Sequence, residues 1–300
     1  MVRRTASVRD LGERASSTAE INAGMRWAET TRPEHGRVVT DPYSFHFLTS
    51  LRGRAMFRLP SLARLTLRVI DLRYAGLTAE ILLRGRYLDD AVRAATAAGI
   101  RQIVLLGAGY DSTALRHEFG SSTTVYEVDA PGTQKIKRTV LDRLDVARAH
   151  RIVPVPCNFK EERVADLLRS AGLRTDEPAL VAWLGVSYYL PEASLRATLD
   201  EIREICAPGS VLVVDYLDAD VVDGTTTHAG AKRLAKYVAA IGEPYVFGMT
   251  PASARELLSA HGFDVTDHAR VTDLIDRYAE NDPWFRSDDY MGVLTAKPAS

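Results

Sequence analysis

The chain has 300 residues, 46% of them apolar, and its 38 basic and 39 acidic residues give a net charge of −1. This near balance argues against nucleic acid as the main partner, because nucleic-acid binding usually shows as a strong basic excess. The length allows two small domains or one large α/β domain with an added cap, and the apolar fraction is sufficient for a sizeable core.

The N-terminal part of the chain is predicted to be helical. Its helices span Ser17–Trp27, several segments between Asp41 and Leu83, and Tyr87–Ala98. Apolar residues recur at helical spacing through this region, and Pro60 and Gly76 divide the middle segments. Gly99 follows the last of these helices as its C-terminal cap.

Strands and helices alternate from residue 103 to residue 216. The predicted strands are Ile103–Leu106, Thr123–Val128, Ile152–Val155, Ala179–Leu184 and Ser210–Tyr216. The helices between them are Ser112–Phe119, Thr133–Leu144, Arg163–Ala171 and Glu192–Cys206. This alternation predicts right-handed parallel crossovers and a doubly wound sheet.

The pattern changes after the fifth strand. We predict a helical insertion over Asp220–Pro244, a helix over Ser253–His261, and strands near Phe263–Arg270 and Tyr290–Lys297. The last strand leaves no room for a crossover helix, so it is expected to form an antiparallel hairpin at the sheet edge. The whole chain is predicted to be a single α/β domain with a mostly parallel, doubly wound sheet. Residues 1–85 are predicted to form a helical cap and residues 86–300 a Rossmann-like core, with a cap insertion at about 218–250.

Positive charge is concentrated near the N-terminus. Residues 1–70 contain twelve arginines, no lysine and six acids, so the remaining 230 residues sum to −7. Two interpretations stay open. The arginines form an ordinary solvated face with their stems packed on helices, or they form an electropositive lid that attracts an anionic substrate.

Cysteine content and hydropathy limit the cellular locations that the sequence allows. Cys157 and Cys206 are too few for a disulfide framework and too far apart for a metal site. The N-terminus lacks the apolar segment of a signal peptide, and no run reaches the roughly 18 apolar residues of a membrane span. We expect a cytoplasmic protein with no metal and no membrane partner.

The most informative motif is the run I-V-L-L-G-A-G-Y-D over Ile103–Asp111. Its turn consists of Gly107, Ala108 and Gly109, and glycine there lets backbone approach a ligand closely. The next predicted strand leads into Asp129. A strand, a glycine turn and an acid at the tip of the next strand are how open α/β sheets hold a nucleoside ribose.

The residues after the turn distinguish between cofactors. A dinucleotide pyrophosphate needs a third glycine to approach the helix N-terminus, but Ser112 stands in that place. Asp111 adds a negative charge beside it. S-adenosylmethionine has no phosphate and therefore fits better, with Asp129 binding both ribose hydroxyls. An acid that is merely solvated at a strand end is the alternative interpretation of Asp129.

Several motifs in order resemble the leucine carboxyl methyltransferase family, which includes bacterial polyketide carboxyl methyltransferases similar to those of tetracenomycin biosynthesis. In the core they are L-G-A-G-Y-D-S-T-A-L-R (Leu106–Arg116), Y-E-V-D-A-P (Tyr126–Pro131), V-P-C-N-F (Val155–Phe159) and W-L-G-V-S-Y-Y-L-P (Trp183–Pro191). The flanking matches are Arg32–Tyr43, Leu83–Asp90 and Gly242–Gly248. The resemblance covers nearly the whole chain.

This resemblance implies a class I methyltransferase fold, S-adenosylmethionine as cofactor, and O-methylation of a small-molecule natural-product carboxylate or hydroxyl. It implies that the Gly107 turn contacts the methionyl part of the cofactor and that Arg84 binds its carboxylate. Asp129 would bind the ribose, while Asn158 and Phe159 would meet the adenine. Arg86 in place of Arg84, and a purely structural Phe159, stay open as alternatives.

Two residues depart from the family pattern. Asn158 stands where the family usually has aspartate, but its amide oxygen still accepts the adenine amino hydrogen. Leu184 stands where the family usually has glutamate, which makes this wall of the cofactor pocket more apolar and bears on substrate choice.

The substrate side is less specified by the sequence. A carboxylate acceptor needs no base, whereas a hydroxyl needs one. The candidate residues are Tyr188, Tyr189, Asp215, Tyr216 and Tyr245, and His228 is a candidate base in a flexible loop. Two other functions stay open: a nicotinamide-dependent oxidoreductase, and a repurposed member that binds the cofactor without transferring methyl.

Overall fold

The computed structural model describes residues 17–144, 146, 148–159 and 161–299. These residues include one seven-stranded sheet. Its strands are β1 (Gln102–Leu106), β2 (Thr124–Asp129), β3 (Arg151–Pro156), β4 (Ala179–Trp183), β5 (Val211–Leu217), β6 (Phe263–Arg270) and β7 (Met291–Pro298). Their spatial order is β3-β2-β1-β4-β5-β7-β6, and the first five run parallel. Only β7 pairs antiparallel, with β5 on one side and β6 on the other.

Twelve α-helices are present in the described residues. They are α1 (Ser17–Thr30), α2 (Leu51–Phe57), α3 (Pro60–Arg73), α4 (Leu77–Ala97), α5 (Thr113–Arg116), α6 (Pro131–Leu141), α7 (Val164–Ser170), α8 (Glu192–Ile205), α9 (Ala219–Val222), α10 (Ala229–Ala240), α11 (Pro251–Ala260) and α12 (Val271–Tyr278). None of these twelve has both the length and the apolar character to cross a bilayer.

The sheet has a hydrophobic core on each face. Successive residues of β1 alternate between them: Ile103 and Leu105 pack with the cap helices, while Val104 and Leu106 pack with α7, α8 and α11. This alternation confirms the predicted α/β class with a doubly wound, mostly parallel sheet.

Helix α4 differs from its sequence prediction. Two separate helices were predicted across this region, but one continuous helix runs from Leu77 to Ala97. Gly85 lies inside it, because a single glycine costs only about 1 kcal/mol and does not end a helix with a buried face. The helix crosses the boundary predicted between residues 85 and 86, so the cap and the core share one rigid element.

The C-terminal strands also differ from the prediction in detail. The predicted antiparallel pairing of the last strand with β6 at the sheet edge is confirmed, but an unpredicted helix, α12, lies between the two strands and β7 inserts between β5 and β6. The side chains explain this order. Met291, Val293, Leu294 and Ala296 of β7 are all buried, as a strand with neighbours on both sides requires.

A buried aspartate joins the cap to the glycine turn. Asp41 Oδ2 accepts hydrogen bonds from Arg26 Nε at 2.8 Å and from Ser112 Oγ at 2.6 Å. Arg26 Nη2 in turn donates to the Tyr110 carbonyl oxygen at 2.6 Å. This ion pair therefore connects helix α1 to the loop before α2, and the hydrogen bonds of both partners connect them to the turn after β1.

Replacing Asp41 with Asn should lower the free energy of unfolding by about 3–5 kcal/mol, because Arg26 is left as an uncompensated buried charge. Urea unfolding measures the change. The matched control is Asp176→Asn, which breaks an exposed pair with Arg174 at 2.8 Å and should leave the free energy of unfolding nearly unchanged. Equal losses in the two variants would contradict the role of Asp41.

Candidate active site

The glycine turn lies at the carboxyl end of β1, beside the end of β2. The backbone N–H groups of Gly107 and Ala108 both donate to the Val128 carbonyl oxygen, at 2.8 and 3.0 Å. Gly107 has φ +68° and Gly109 has φ +45°, in the left-handed region that favours glycine. A Cβ atom on Gly107 would collide with Cγ2 of Val186, so the loops after β1 and β4 pack against each other here.

Asp129 ends β2 and points back toward this turn. Its carboxylate accepts hydrogen bonds from the N–H of Gly109 at 2.5 Å and of Ala130 at 2.6 Å. Burial raises the pKa of Asp129, and these two N–H groups oppose the rise. Each oxygen keeps a further lone pair, so the carboxylate can still accept two hydroxyl hydrogens from a ligand.

The turn after β3 adjoins Asp129. The Cys157 N–H donates to the Asp129 carbonyl oxygen at 2.8 Å. The Asn158 carbonyl oxygen accepts hydrogen bonds from backbone N–H groups in the turn that follows it. Phe159 is half-buried and packs against the core on the α7–α8 face. Asp129, Asn158 and Phe159 therefore share one edge of the sheet with the glycine turn.

Arg84 reaches the strand ends from the cap. Its Nη1 donates to Asp215 Oδ2 at 2.8 Å and to the Tyr188 hydroxyl at 3.2 Å. The Gly185 N–H donates to both oxygens of Asp215, each at 2.9 Å. Burial lowers the pKa of Arg84, but Tyr188, Asp215 and Glu80 outweigh it and raise the pKa above its usual value.

The alternative residue Arg86 lies elsewhere. It forms a 3.4 Å ion pair with Asp90 and sits over the Tyr278 ring at 5.3 Å. Its side chain is 37% exposed, whereas the side chain of Arg84 is 10% exposed. Of the two arginines, Arg84 is the one at the strand ends.

Glu80 belongs to the same buried group and was not predicted. Its Oε1 lies 3.8 Å from Arg84 Nη1, and its Oε2 has no hydrogen-bond partner among the described residues. Burial raises the pKa of Glu80 to about 7, with Arg84 opposing the rise and Asp215 adding to it. The spacing of one helical turn to Arg84 was the signal available in the sequence.

Three of the predicted tyrosines form a cluster beside Arg84. The ring centroids of Tyr188, Tyr189 and Tyr245 are 4.9–5.4 Å apart. The Val246 N–H donates to the Tyr188 carbonyl oxygen at 2.8 Å, which brings the insertion after β5 onto the loop after β4. Burial raises the pKa of all three hydroxyls, so they are neutral hydrogen-bond donors.

Tyr216 is not part of this cluster. It follows Asp215 on β5 and therefore points to the opposite face of the sheet. Its hydroxyl lies 3.0 Å from His268 Nε2 and accepts from Arg270 Nη1 at 3.2 Å. Tyr216 thus packs among β6 and β7, and this position does not support a catalytic role.

Leu184, His228 and the two cysteines complete the set of residues considered from the sequence. Leu184 is half-buried directly after β4 and packs against the cap-side core. His228 precedes α10, with its N–H donating to Thr226 Oγ1 at 3.3 Å. Burial raises the pKa of Cys157 and of Cys206 to about 12, so neither thiol is an activated nucleophile. Within the described ranges, no group of three or more His, Cys, Asp or Glu residues is arranged to hold a metal ion.

The seven-stranded sheet with its single antiparallel strand, the glycine turn and the acid after β2 define the class I methyltransferase fold. A solved structure titled a putative methyltransferase from Thermobifida fusca shares this fold. It aligns with a TM-score of 0.57 at 16% identity, over 90% of this chain and 96% of that one.

Sequence comparison identifies the family. The model of the leucine carboxyl methyltransferase family matches residues 19–203, and the chain belongs to this family. A relative from Streptomyces coelicolor is 35% identical over 68% of this chain and 67% of its own length. Another, from Mycolicibacterium gilvum, is 30% identical over 87% of this chain and 86% of its own length. Both are named "Putative S-adenosyl-L-methionine-dependent methyltransferase". This membership decides against the nicotinamide-dependent oxidoreductase.

Gly107→Ala should destabilise the protein for two separable reasons, backbone strain and the collision with Val186. The control Gly172→Ala isolates strain, since Gly172 has φ +99° and a Cβ there meets no atom within 4 Å. We expect about 1–2 kcal/mol for Gly172→Ala and about 1–3 kcal/mol more for Gly107→Ala, measured by urea unfolding. Adding Val186→Ala should recover part of the second loss. A Gly107→Ala variant no less stable than the control would disprove the close packing of the two loops.

Proposed function

We propose that this protein transfers the methyl group of S-adenosylmethionine to an oxygen atom of a small-molecule carboxylate. The observation that carries the proposal is the convergence of three features at the carboxyl ends of the parallel strands. The glycine turn follows β1, the acid Asp129 ends β2, and the buried Arg84 meets the loop after β4. Ligands of open α/β sheets bind at this end of the strands.

The donor set fits S-adenosylmethionine. The hydrogen bonds of Arg84 to described residues all come from Nη1, which leaves Nη2 and Nε for the cofactor carboxylate. A Cβ atom on Gly185 would lie 3.0 Å from Nη2, so glycine keeps that approach open. Asp129 would accept from the ribose hydroxyls, and Asn158 and Phe159 would border the adenine. The bound sulfonium supplies the electrophilic methyl group and leaves as a neutral thioether.

The tyrosine cluster supports a carboxylate as the acceptor. Tyr188, Tyr189 and Tyr245 are neutral donors beside the cationic Arg84, so they can orient an anionic oxygen without removing a proton from it. A carboxylate is already ionised at neutral pH and needs no base. The protein's main contribution is then alignment of the acceptor oxygen for in-line displacement.

A hydroxyl acceptor is the second candidate, and Glu80 favours it. The pKa of Glu80 is raised to about 7 by burial, which is the range expected of a general base. In this case Glu80 would take the hydroxyl proton as the oxygen–carbon bond forms.

The chemistry of the product distinguishes the two acceptors. The protein is incubated with labelled S-adenosylmethionine and a library of small carboxylates and phenols, and the products are treated with mild base. A methyl ester releases the label as methanol, as the proposal expects, whereas a base-stable methyl ether would establish the hydroxyl acceptor instead. Cofactor binding without any labelled product would identify a repurposed member that does not transfer methyl.

Asp129→Ala should weaken S-adenosylmethionine binding by about 1–3 kcal/mol, because a charged hydrogen-bond partner of the ribose is lost. Isothermal titration calorimetry measures the dissociation constant. The control Asp264→Ala removes an exposed acid from β6, at the other edge of the sheet, and should leave the constant unchanged. An unaltered constant in Asp129→Ala would remove this residue from the site, and no binding by the wild type would sink the cofactor assignment.

Glu80→Gln separates the acceptors kinetically. With a carboxylate acceptor, kcat/KM should stay level between about pH 6 and pH 8 in the wild type and in the variant. With a hydroxyl acceptor and Glu80 as base, kcat/KM should fall about tenfold per pH unit below a pKa near 7, as the base becomes protonated. The variant should then lose most activity. A level profile with the hydroxyl substrate would rule out Glu80 as its base.

A further inference from the structure

Helices α2 and α3 carry apolar side chains on their outer surface. Nine large apolar side chains are exposed in the described residues, and seven of them lie between residues 51 and 72. These seven are Leu51, Met56, Leu59, Leu62, Leu65, Val69 and Leu72, with exposed fractions between 39% and 87%. An exposed apolar concentration of this kind marks an interaction surface.

Helix α3 is apolar on two faces, and the described part of the chain covers one of them. Its inner face buries Ala63, Thr66 and Leu67 against the cap. Its outer face presents Leu62, Leu65, Val69 and Leu72 at spacings of three and four residues, which we call the outer strip. A helix with apolar residues on both sides normally packs on both sides, but no described residue covers the outer strip.

The charge of this surface is strongly positive. Residues 51–73 contain six arginines and one acid, Asp71, for a net charge of +5. Across the described residues, no carboxylate forms an ion pair with any of these arginines, which are Arg52, Arg54, Arg58, Arg64, Arg68 and Arg73. Other exposed arginines are paired, such as Arg93 with Asp90 and Arg196 with Glu192. The surface therefore complements an anionic partner.

A cleft of about 480 Å³ lies beside the outer strip and is lined by residues that include Arg32, Ser61, Arg64, Arg68 and Trp284. Leu65 lines the cleft as well, so the cleft and the strip are continuous. Arg32 is neutralised by Glu29 and Asp282.

The other two arginines of the cleft, Arg64 and Arg68, form no ion pair with a described residue. Arg68 lies over the Trp284 ring at 5.0 Å, so its guanidinium is held at the wall of the cleft. These two guanidinium groups suit a phosphate oxygen.

We propose that α2 and α3 dock this protein onto an anionic lipid bilayer, with the outer strip at the boundary of headgroups and acyl chains and a lipid phosphate in the cleft. A basic amphipathic surface with leucines on its apolar side is the pattern of interfacial membrane binding. Charge argues against two other occupants of this surface, a second copy of the chain and the N-terminal residues 1–16. A second copy would bring another +5 surface to this one, and residues 1–16 carry four arginines against two acids, so both would be repelled.

Vesicle flotation of the full chain tests the proposal. We expect the protein to float with vesicles of equal parts phosphatidylglycerol and phosphatidylcholine, and not with phosphatidylcholine alone. Binding should decline between about 0.1 M and about 1 M salt, as the screening length falls from about 10 Å to about 3 Å. Equal flotation with both vesicle types would overturn the proposal.

Matched variants assign the surface. Arg64→Gln/Arg68→Gln should lower the partition coefficient about 25-fold, since each basic residue near an anionic surface contributes a factor of about five. Leu65→Gln/Val69→Gln should lower it about tenfold or more. The controls Arg93→Gln/Arg196→Gln and Ile241→Gln change exposed residues elsewhere and should bind like the wild type. Circular dichroism verifies that each variant is folded.

Three outcomes would assign the surface to another role and overturn the proposal. The first is flotation unchanged in Leu65→Gln/Val69→Gln. The second is a dimer in light scattering that this variant abolishes, without flotation of the wild type. The third is salt-dependent binding to poly-glutamate without flotation, which would indicate an acidic protein partner.

Discussion

The buried ion pair between Arg84 and Asp215 is the contact on which the candidate site depends. Arg84 comes from the cap helix α4, and Asp215 comes from strand β5. The N–H of Gly185 binds the same carboxylate, so the loop after β4 is held by the pair as well. Separating α4 from β5 would leave a buried charge without its partner, at a cost of about 3–5 kcal/mol. The cap, the sheet and the loop therefore act as one unit.

Arginines serve two opposite roles in the N-terminal part of the chain. Arg26 and Arg84 are buried and paired with Asp41 and Asp215, where they fasten the cap to the strand ends. The arginines of α2 and α3 have no such partners among the described residues, and they surround an exposed apolar strip. The sequence expectation of no membrane partner rested on the absence of a spanning segment, which does not bear on binding at a surface. Arginine thus stabilises the fold in the first case and contributes to a surface for an external partner in the second.

The sequence was a better guide to single residues than to their partners. The glycine motif predicted Asp129, the family resemblance implied Arg84, and positions at strand ends or in the insertion suggested the tyrosines. All of these side chains gather at one site except that of Tyr216, which faces the other side of the sheet. Glu80 and Asp41 were missed as members of buried networks. Asp41 lies 71 residues from Ser112, its hydrogen-bond partner. Such long-range pairs have no local pattern, because only the folded chain brings the two side chains together.

What the sequence by itself determined was the class of fold and the kind of ligand turn, because strand–helix alternation and a glycine turn are local patterns. The tertiary structure decided which side chains enter the site. Arg84 and Arg86 are two residues apart on one helix, so packing against the sheet turns one inward and leaves the other half-exposed. Helical spacing likewise predicted that α3 is apolar, but whether a face is covered depends on its neighbours in space. Only the fold reveals that the outer strip has none among the described residues.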